Sequence, residues 1–332
     1  MVDKLHLDRN IKIDITKGLL ITLVVIGHLL LGKLNDSIVR YIIYSFHMPI
    51  FLFISGYLVN VQKLEKESLP GLFRKYFFRL IVPWTVAVII YSLIEYKYNI
   101  LGKGFYILYH PFYHLWYIPA FLSYIFCTYF LVKLNIKIKT IVLALLPLTI
   151  FLNFIYISPG VNSYFDSNLI SNISNLFRPQ FYFYFILGIF FKNNLKIINK
   201  YKLLYLLIIL LLSFFVNILM FYAQINNFNK LISVVTLIIQ NSLIGLFVVK
   251  FLNTDLSLLT DKKIGLFISW LGKESLGIYL WHVLPLLLAK YLFINSPQNY
   301  YVLSVILIMM LLGVIYLMDK SKFFKQFFLG KI

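Results

Sequence analysis

The chain has 332 residues, of which 61% are hydrophobic and only 13% are charged. Soluble globular proteins carry about 25% charged residues, so this composition and a mean hydropathy of +0.85 exclude a soluble domain. The sequence predicts an all-α, polytopic integral membrane protein. Its formal net charge of +19 is explained by basic loops and requires no nucleic acid.

Ten apolar runs are predicted to cross the bilayer, since runs of about 17–25 residues between polar breaks are typical of transmembrane helices. The predicted spans are residues 13–32, 38–60, 77–95, 113–134, 138–157, 178–191, 203–222, 231–250, 265–289 and 299–318. We expect them to form a single membrane-embedded domain, residues 1–332, with no fused soluble domain.

Lys and Arg cluster in every second loop. The basic clusters precede the first span, recur at 61–79, 133–139, 192–202 and 250–263, and follow residue 318. Because cytoplasmic loops carry the excess of basic residues, the pattern predicts that both termini are cytoplasmic. The first run carries Asp14 and Lys17 at its start and lacks a cleavage pattern, so we expect no cleaved signal peptide.

The first span carries three ionisable residues on one stripe. Asp14 lies three residues before Lys17, and Lys17 lies eleven residues before His28. At roughly 100° per residue, these spacings place all three on the same helix face. The rise from Asp14 to His28 is about 21 Å at 1.5 Å per residue. Such residues are costly inside a membrane and are functional candidates by default, so the stripe indicates a path across the bilayer.

Histidines are concentrated at one depth. With a cytoplasmic amino terminus, five of the six histidines fall in the outer halves of their spans or at an outer entrance. These are His28, His47, His110, His114 and His282. Each alone is typical of a packed or interfacial histidine, but five together favour a shared polar site.

The ninth predicted span has a polar face. Ser275, Tyr279 and His282 recur at i, i+4 and i+7. They are predicted to line a functional site, the alternative being a polar seam between packed helices. Trp116 stands beside His114 at the outer entrance and is predicted to bind a ligand by stacking, whereas most aromatic residues near span ends fit the interfacial belt.

A basic cluster precedes the third span. Arg79 lies four residues before Pro83 within an apolar stretch, where a guanidinium must find water, a carboxylate or a phosphate. A phosphorylated donor arriving from the cytoplasm would satisfy it, although the other basic residues also fit plain cytoplasmic anchoring. For Glu274, a snorkelling charge and a partner of Lys17 or Arg79 are both open, and the residue is left unassigned. The predicted donor-binding residues are Arg9, Asp14, Lys17, Arg74, Lys75 and Arg79.

Five motifs in order carry a family resemblance. They are DITKGLLITLVVIGH (14–28), FHMPIFLFISGYL (46–58), FRKYFFRLIVPW (73–84), HLWYIPAFL (114–122) and GKESLGIYLWHVL (272–284). On these motifs the chain, from about residue 9 to 318, resembles acyltransferase family 3, the bacterial integral-membrane O-acyltransferases. It is most similar to fucose 4-O-acetylase-like members and to surface-polysaccharide acetyltransferases.

The resemblance implies transfer of an acyl group, usually acetyl from acetyl-CoA, to a hydroxyl of a cell-envelope glycan or lipid-linked saccharide at the bacterial cytoplasmic membrane. It places the essential histidine on His28, a basic residue on Arg9 and a basic pair on Lys75 and Arg79. It also places a Ser-Gly pair on Ser55 and Gly56, and a late histidine on His282. No metal or permanently bound cofactor is expected. Many relatives carry a fused extracytoplasmic esterase-like domain, so here the membrane domain is expected to finish the transfer itself or to use a separate partner.

The chemistry is consistent with these assignments. Acyl transfer from a thioester to an alcohol needs a base, donors for the carbonyl oxyanion and a dry site. His28 is the candidate base or transient acyl carrier. Asp14 is too distant to orient it and is expected to pair with Lys17 or a nearby arginine. Candidate donors to the oxyanion are Ser55, Tyr279, Asn35 and His47, and this choice stays open. The acceptor or oxyanion site is predicted to comprise His47, Ser55, His114, Trp116, Ser275, Tyr279 and His282, with the Trp116 indole stacking on an acceptor sugar ring.

Two other classes of function compete with this prediction. A transporter or flippase for a lipid-linked or polymeric glycan would use the stripe as a proton relay, but no two-fold repeat or paired broken helices are visible. A noncatalytic scaffold would not need ionisable residues in the bilayer. Dependence on acyl-CoA separates the enzyme from both.

Two features are assigned simpler roles. The single cysteine, Cys127, excludes a disulfide framework and is expected to be a packed thiol. The polar loop 158–177 is either a cover for the acceptor or a solvated connection.

Overall fold

The computed structural model describes residues 2–96, 106–157, 174–198, 200, 202–223, 230–254, 263–293 and 296–331. Side chains are described from residue 11 onward, except at residues 35, 96, 109, 156, 157 and 197. Regular structure in these ranges is entirely helical. The predicted all-α class is confirmed.

The first half of the described chain contains eight helices. They are α1 (Val2–Leu29), α2 (Ile38–Leu58), α3 (Val61–Lys66), α4 (Leu69–Tyr76), α5 (Val82–Tyr96), α6 (Tyr106–Tyr109), α7 (Tyr117–Lys133) and α8 (Ile138–Ile157). A short 3₁₀ turn precedes α2, and a π-helical turn, Phe77–Ile81, joins α4 to α5.

Nine labelled helices follow in the described second half. They are α9 (Tyr182–Asn193), α10 (Leu195–Ile198), α11 (Leu203–Ala223), α12 (Lys230–Asn253), α13 (Lys263–Lys273), α14 (Ser275–Trp281), α15 (Val283–Phe293), α16 (Pro297–Met318) and α17 (Lys322–Leu329). A 3₁₀ turn, Pro179–Phe181, leads into α9.

Seven helical stretches within the described ranges are long and apolar enough to cross a membrane. They are Ile38–Leu58, Leu69–Glu95, Ile138–Ile155, Leu203–Ala223, Lys230–Asn253, Ser275–Phe293 and Pro297–Met318. The chain is therefore a multi-pass membrane protein. The other three predicted spans correspond to α1, which carries charged residues, to α7 with 17 residues and to α9 with 12. The total of ten spans and the cytoplasmic termini stay predictions.

Several predicted boundaries differ from the helices observed. The third span begins at Leu69 rather than residue 77, because Ser68 caps α4 by accepting the Gly71 N–H. The fourth begins at Tyr117 rather than residue 113, because 113–116 form a turn. The ninth is interrupted at Glu274, where α13 ends and α14 begins.

Contacts divide the chain into two compact units. The first unit comprises residues 1–32, 68–118 and 256–332, and the second comprises residues 33–67 and 119–255. The prediction of a single domain stays a prediction.

The first unit is built on a reciprocal glycine contact between α1 and α13. A Cβ on Gly18 would lie 2.0 Å from the carbonyl oxygen of Ile268, and a Cβ on Gly272 would lie 1.8 Å from that of Asp14. Only hydrogen fits at either position, so the two helix backbones touch. This close approach fixes the register of α1 against the segment that continues into α14.

The second unit uses the same device between α2 and α9. A Cβ on Gly56 would lie 1.9 Å from the Phe185 carbonyl oxygen, and one on Gly188 would lie 2.0 Å from that of Phe53. A buried polar seam adds to this packing, with the Asn217 amide donating to Gln240 and to Ser45 Oγ. Interhelical hydrogen bonds of this kind stabilise membrane bundles.

Cys127 does not fit its predicted role. The thiol is exposed on α7, whereas a packed cysteine was expected. On a helix of this apolarity an exposed position is compatible with lipid, so the hydrophobicity of the surrounding sequence was a poor guide to its burial.

Candidate active site

The stripe on α1 begins with an ion pair. Lys17 Nζ lies 2.8 Å from Asp14 Oδ1, and both side chains are partly buried. Among the described side chains expected to pair with Asp14, Lys17 is the one in contact with it. Because α1 is a continuous helix from Val2 to Leu29, His28 lies about 21 Å farther along it.

His28 lies at the end of α1, and α16 fixes this end. The Tyr300 hydroxyl donates to the Leu29 carbonyl oxygen at 3.2 Å. The Leu31 N–H donates to the Tyr301 hydroxyl at 3.4 Å. The first bond satisfies a carbonyl group that the carboxyl end of a helix leaves open, and the second ties the chain just beyond the helix to α16. Neither tyrosine was predicted as a site residue, because nothing in local periodicity links residue 29 to residue 300.

Three histidine rings meet at this end of α1, all within the first unit. The ring centroid of His28 lies 5.1 Å from that of His282 and 6.5 Å from that of His114. The His114 and His282 centroids are 5.3 Å apart. His28 is half-buried, His114 is 3% exposed and His282 is fully buried. The structure thus brings together three of the five histidines predicted to share a site, and we call them the histidine triangle.

Backbone contacts determine the tautomer of His282. Its Nδ1 lies 3.0 Å from the Ile278 carbonyl oxygen and 2.9 Å from the Tyr279 carbonyl oxygen. Carbonyl oxygens only accept, so Nδ1 carries the proton and Nε2 of the neutral ring has a lone pair. Nε2 is buried and has no hydrogen-bond partner within the described residues. A buried acceptor of this kind, with its ring beside His28, can receive a proton or a hydrogen bond.

His114 is held by a braced turn. The Tyr279 hydroxyl donates to the His114 carbonyl oxygen and accepts the Tyr117 N–H at 3.1 Å. Trp84 Nε1 donates to the Leu115 carbonyl oxygen at 2.9 Å. Tyr279 was predicted as an oxyanion donor, but its proton is engaged by the backbone, so in this structure it positions the turn instead.

Tyr113 is a site residue that the sequence prediction missed. Its side chain is 57% exposed, and its ring centroid lies 5.4 Å from that of His28. Trp116, the predicted sugar platform, is half-buried, and its ring lies 6.3 Å from that of Tyr117. His110 stacks on Tyr106 with 4.3 Å between centroids. No sequence signal separates Tyr113 from its many neighbouring aromatic residues.

The polar face predicted on the ninth span is divided. Ser275 is half-buried at the first position of α14, about 10 Å along the helix from His282 at 1.5 Å per residue. Glu274, which the sequence leaves unassigned, pairs with Lys331 rather than with Lys17 or Arg79. Lys331 was missed because it follows the last apolar run.

The predicted donor-binding side chains of α4 and its junction with α5 are exposed. Arg74, Lys75 and Arg79 all face outward from this segment. Arg79 lies in the π-helical turn, where Pro83 has no N–H to donate to the carbonyl four residues earlier. Exposed basic groups on adjoining turns can bind the phosphates of a nucleotide-bearing donor. The side chain of Arg9 lies outside the described residues.

His47 and Ser55 belong to the second unit. His47 is buried, with Nδ1 2.6 Å from the Ile43 carbonyl oxygen, and the Ser55 hydroxyl donates to the Phe51 carbonyl oxygen at 2.9 Å. Both side chains therefore bond to their own helix. The Asn35 side chain and residues 158–173 of the predicted loop lie outside the described residues. The roles of His47, Ser55 and Asn35 stay predictions.

The arrangement is suited to proton transfer. Across the described residues, no set of three or more His, Cys, Asp or Glu side chains is placed to hold a metal ion. The histidine triangle instead provides a half-buried imidazole next to two buried ones, shielded by aromatic rings. A neutral imidazole in such a site can take a proton from a hydroxyl and return it to a leaving group.

Comparisons with known proteins match a family model over most of the chain and a relative over a short stretch. A family model described as an acyltransferase domain matches residues 10–319. The chain is 41% identical over 71 residues to nodulation protein NolL of Mesorhizobium japonicum, covering 19% of this chain and 19% of that protein. The match thus spans about a fifth of the relative's length. No solved structure matches the chain.

Proposed function

Since the chain belongs to acyltransferase family 3 and is a membrane O-acyltransferase, we propose that it transfers acetyl from cytoplasmic acetyl-CoA to a hydroxyl of a cell-envelope or secreted glycan. The proposed location is the bacterial cytoplasmic membrane, with the acceptor at its outer side. The observation that carries this proposal is the histidine triangle at one end of α1, about 21 Å along the helix from the Asp14–Lys17 pair.

His28 acts as the general base in this proposal. It takes the proton of the glycan hydroxyl as that oxygen attacks the thioester carbonyl, giving a tetrahedral oxyanion. The oxyanion collapses, the carbon–sulfur bond breaks, and the imidazolium returns the proton to the leaving thiolate. The buried lone pair on His282 Nε2 supports this role, because it can stabilise the proton while His28 carries it.

The acceptor lies against Tyr113 in this proposal. An exposed aromatic ring beside the base suits a sugar, whose apolar face stacks on aromatic rings while its hydroxyls point outward. Trp116 of the same turn is half-buried and provides a second ring. A lipid-linked saccharide or a polymer fits the same contacts, and a separate extracytoplasmic partner completes the route if the acyl group is handed on.

Label transfer tests the proposed function. Membranes that contain the protein, and matched membranes without it, are incubated with acetyl-CoA radiolabelled in the acetyl group and with envelope glycan. We expect label in the glycan only when the protein is present, in ester linkage that mild base releases. Absence of label with every acyl-CoA tried, while glycan export still depends on the protein, would contradict the enzyme and favour a transporter.

Arg79→Ala is expected to weaken donor binding. A hydrogen bond to a charged group is worth about 1.5–3 kcal/mol, so the KM for acyl-CoA should rise about tenfold or more with little change in kcat. Arg79→Lys should recover only part of the affinity, because it lacks the bidentate fork. Lys66→Ala, at an exposed lysine of α3, is the control and should leave the KM unchanged. An equal KM in all three variants would remove Arg79 from the donor site.

A further inference from the structure

The segment after the last apolar helix folds back onto α14. Trp281 Nε1 donates to the Phe328 carbonyl oxygen at 3.0 Å. Leu329 is 1% exposed and packs on Gly277, where an added Cβ would lie 2.7 Å from a methyl carbon of the leucine. The chain from α17 onward is therefore an integral part of the first unit.

The same segment contacts the π-helical turn that contains Arg79. Gly330 has a φ of +65°, and a Cβ there would lie 2.1 Å from the Arg79 carbonyl oxygen. Pro83 cannot donate to this carbonyl within the helix. Residue 330 must therefore be glycine for two reasons. A side chain is disfavoured at this φ, and no space exists for one beside the Arg79 carbonyl oxygen.

A charge cluster anchors the end of the segment. Lys331 Nζ bonds to Glu274 Oε1 and lies 2.9 Å from Asp319 Oδ1. The Glu274 side chain is only 4% exposed, and a buried carboxylate without a cation is strongly destabilising. Burial lowers the pKa of Lys331, but the hydrogen bonds and charges of Glu274 and Asp319 outweigh this and raise it. The ammonium thus stays charged at neutral pH.

We propose that Lys331 is a positioning residue for acyl transfer, acting through Glu274 and Gly330 to fix the Arg79 turn against α14. This inference rests on the proposed function. Helix α14 runs from Glu274 directly to His282, which is a member of the histidine triangle. The segment from α17 onward therefore connects the proposed donor-binding turn with the helix that ends at His282. The triangle itself is braced independently by Tyr279 and by the glycine contact of α1. Loss of the anchor should therefore affect donor binding first.

The kinetic test compares Lys331→Met with Gly330→Ala and with the control Lys322→Met, at an exposed lysine of α17. We expect the first two to raise the KM for acyl-CoA about tenfold, with kcat at saturating donor within threefold of wild type. The control should match wild type. A merely structural role would reduce the amount of active enzyme, and so apparent kcat, without changing the KM. That result, or wild-type kinetics in Lys331→Met, would overturn the proposal.

A thermal double-mutant cycle tests the anchor without relying on activity. Purified Lys331→Met should have a lower melting temperature in detergent, because Glu274 is left buried and unpaired. Lys331→Met combined with Glu274→Gln should recover most of the loss. If the wild type transfers no acyl group, the proposed function fails while this cycle still reports on the pair. Additive losses in the double variant would refute the anchor itself.

Discussion

His28→Ala is expected to abolish acyl transfer to glycan while the protein stays folded and inserted. A positioned general base typically contributes about 10²–10⁴-fold to the rate. The other two imidazoles of the triangle are buried rather than half-buried, so neither replaces His28. The loss should therefore be at least about 100-fold in kcat. It is measured as label transfer from acetyl-CoA at matched levels of protein in the membrane.

The fold should tolerate this change because other contacts fix the end of α1. The glycine contact holds α1 against α13, and Tyr300 and Tyr301 bond the backbone just beyond His28. The imidazole is only half-buried, so removing it leaves no large sealed cavity. An unchanged elution volume in detergent and a melting temperature near that of wild type would verify this.

His110→Ala is the matched control for His28. His110 lies in the same unit, but its ring stacks on Tyr106, and it is not a member of the triangle. It should keep most of the activity. Wild-type transfer by His28→Ala would contradict the mechanism, and equal losses in both variants would indicate a general effect of removing histidines near this turn.

The sequence was informative where membrane physics restricts residue choice. Asp14, Lys17 and His28 could be recognised because ionisable groups are rare in apolar helices, and a common depth for His114 and His282 followed from the alternation of basic loops. The structure places these three histidines together. The acyltransferase family was also recognisable from its motifs and is confirmed by the match over residues 10–319.

Other features depend on contacts between distant parts of the chain and have no local signal. Lys331 reads as an ordinary basic residue until it is found beside Glu274, which is 57 residues away. Tyr279 looks like a free hydroxyl on a polar face, yet its proton is bonded to the His114 backbone. Tyr113 is one of 25 tyrosines, and only its contact with His28 distinguishes it. Pairwise packing, rather than periodicity, decides each of these roles.

Gly272→Ala is expected to destabilise the fold strongly. The new Cβ would lie 1.8 Å from the Asp14 carbonyl oxygen, and this atom is backbone that cannot rotate away. The two helices must separate, at a cost of about 3 kcal/mol, the upper end for overpacking. We expect a clear fall in melting temperature, with reduced yield of folded protein. Gly18→Ala, on the other side of the same contact, should behave alike.

Gly313→Ala in α16 is the control, because no heavy atom lies within 4 Å of the added Cβ. Alanine in an open helical position stabilises by about 0.4–1 kcal/mol, so the control should melt at or above the wild-type temperature. Any Gly272→Ala protein that still folds should also lose activity, because moving α1 from α13 changes the 5.1 Å separation of the His28 and His282 rings. A displacement of 1 Å in a catalytic group can cost about 10²-fold. Full activity with unchanged melting would mean that α1 does not touch α13 as closely as this packing requires, and the geometry of the histidine triangle would then need another support.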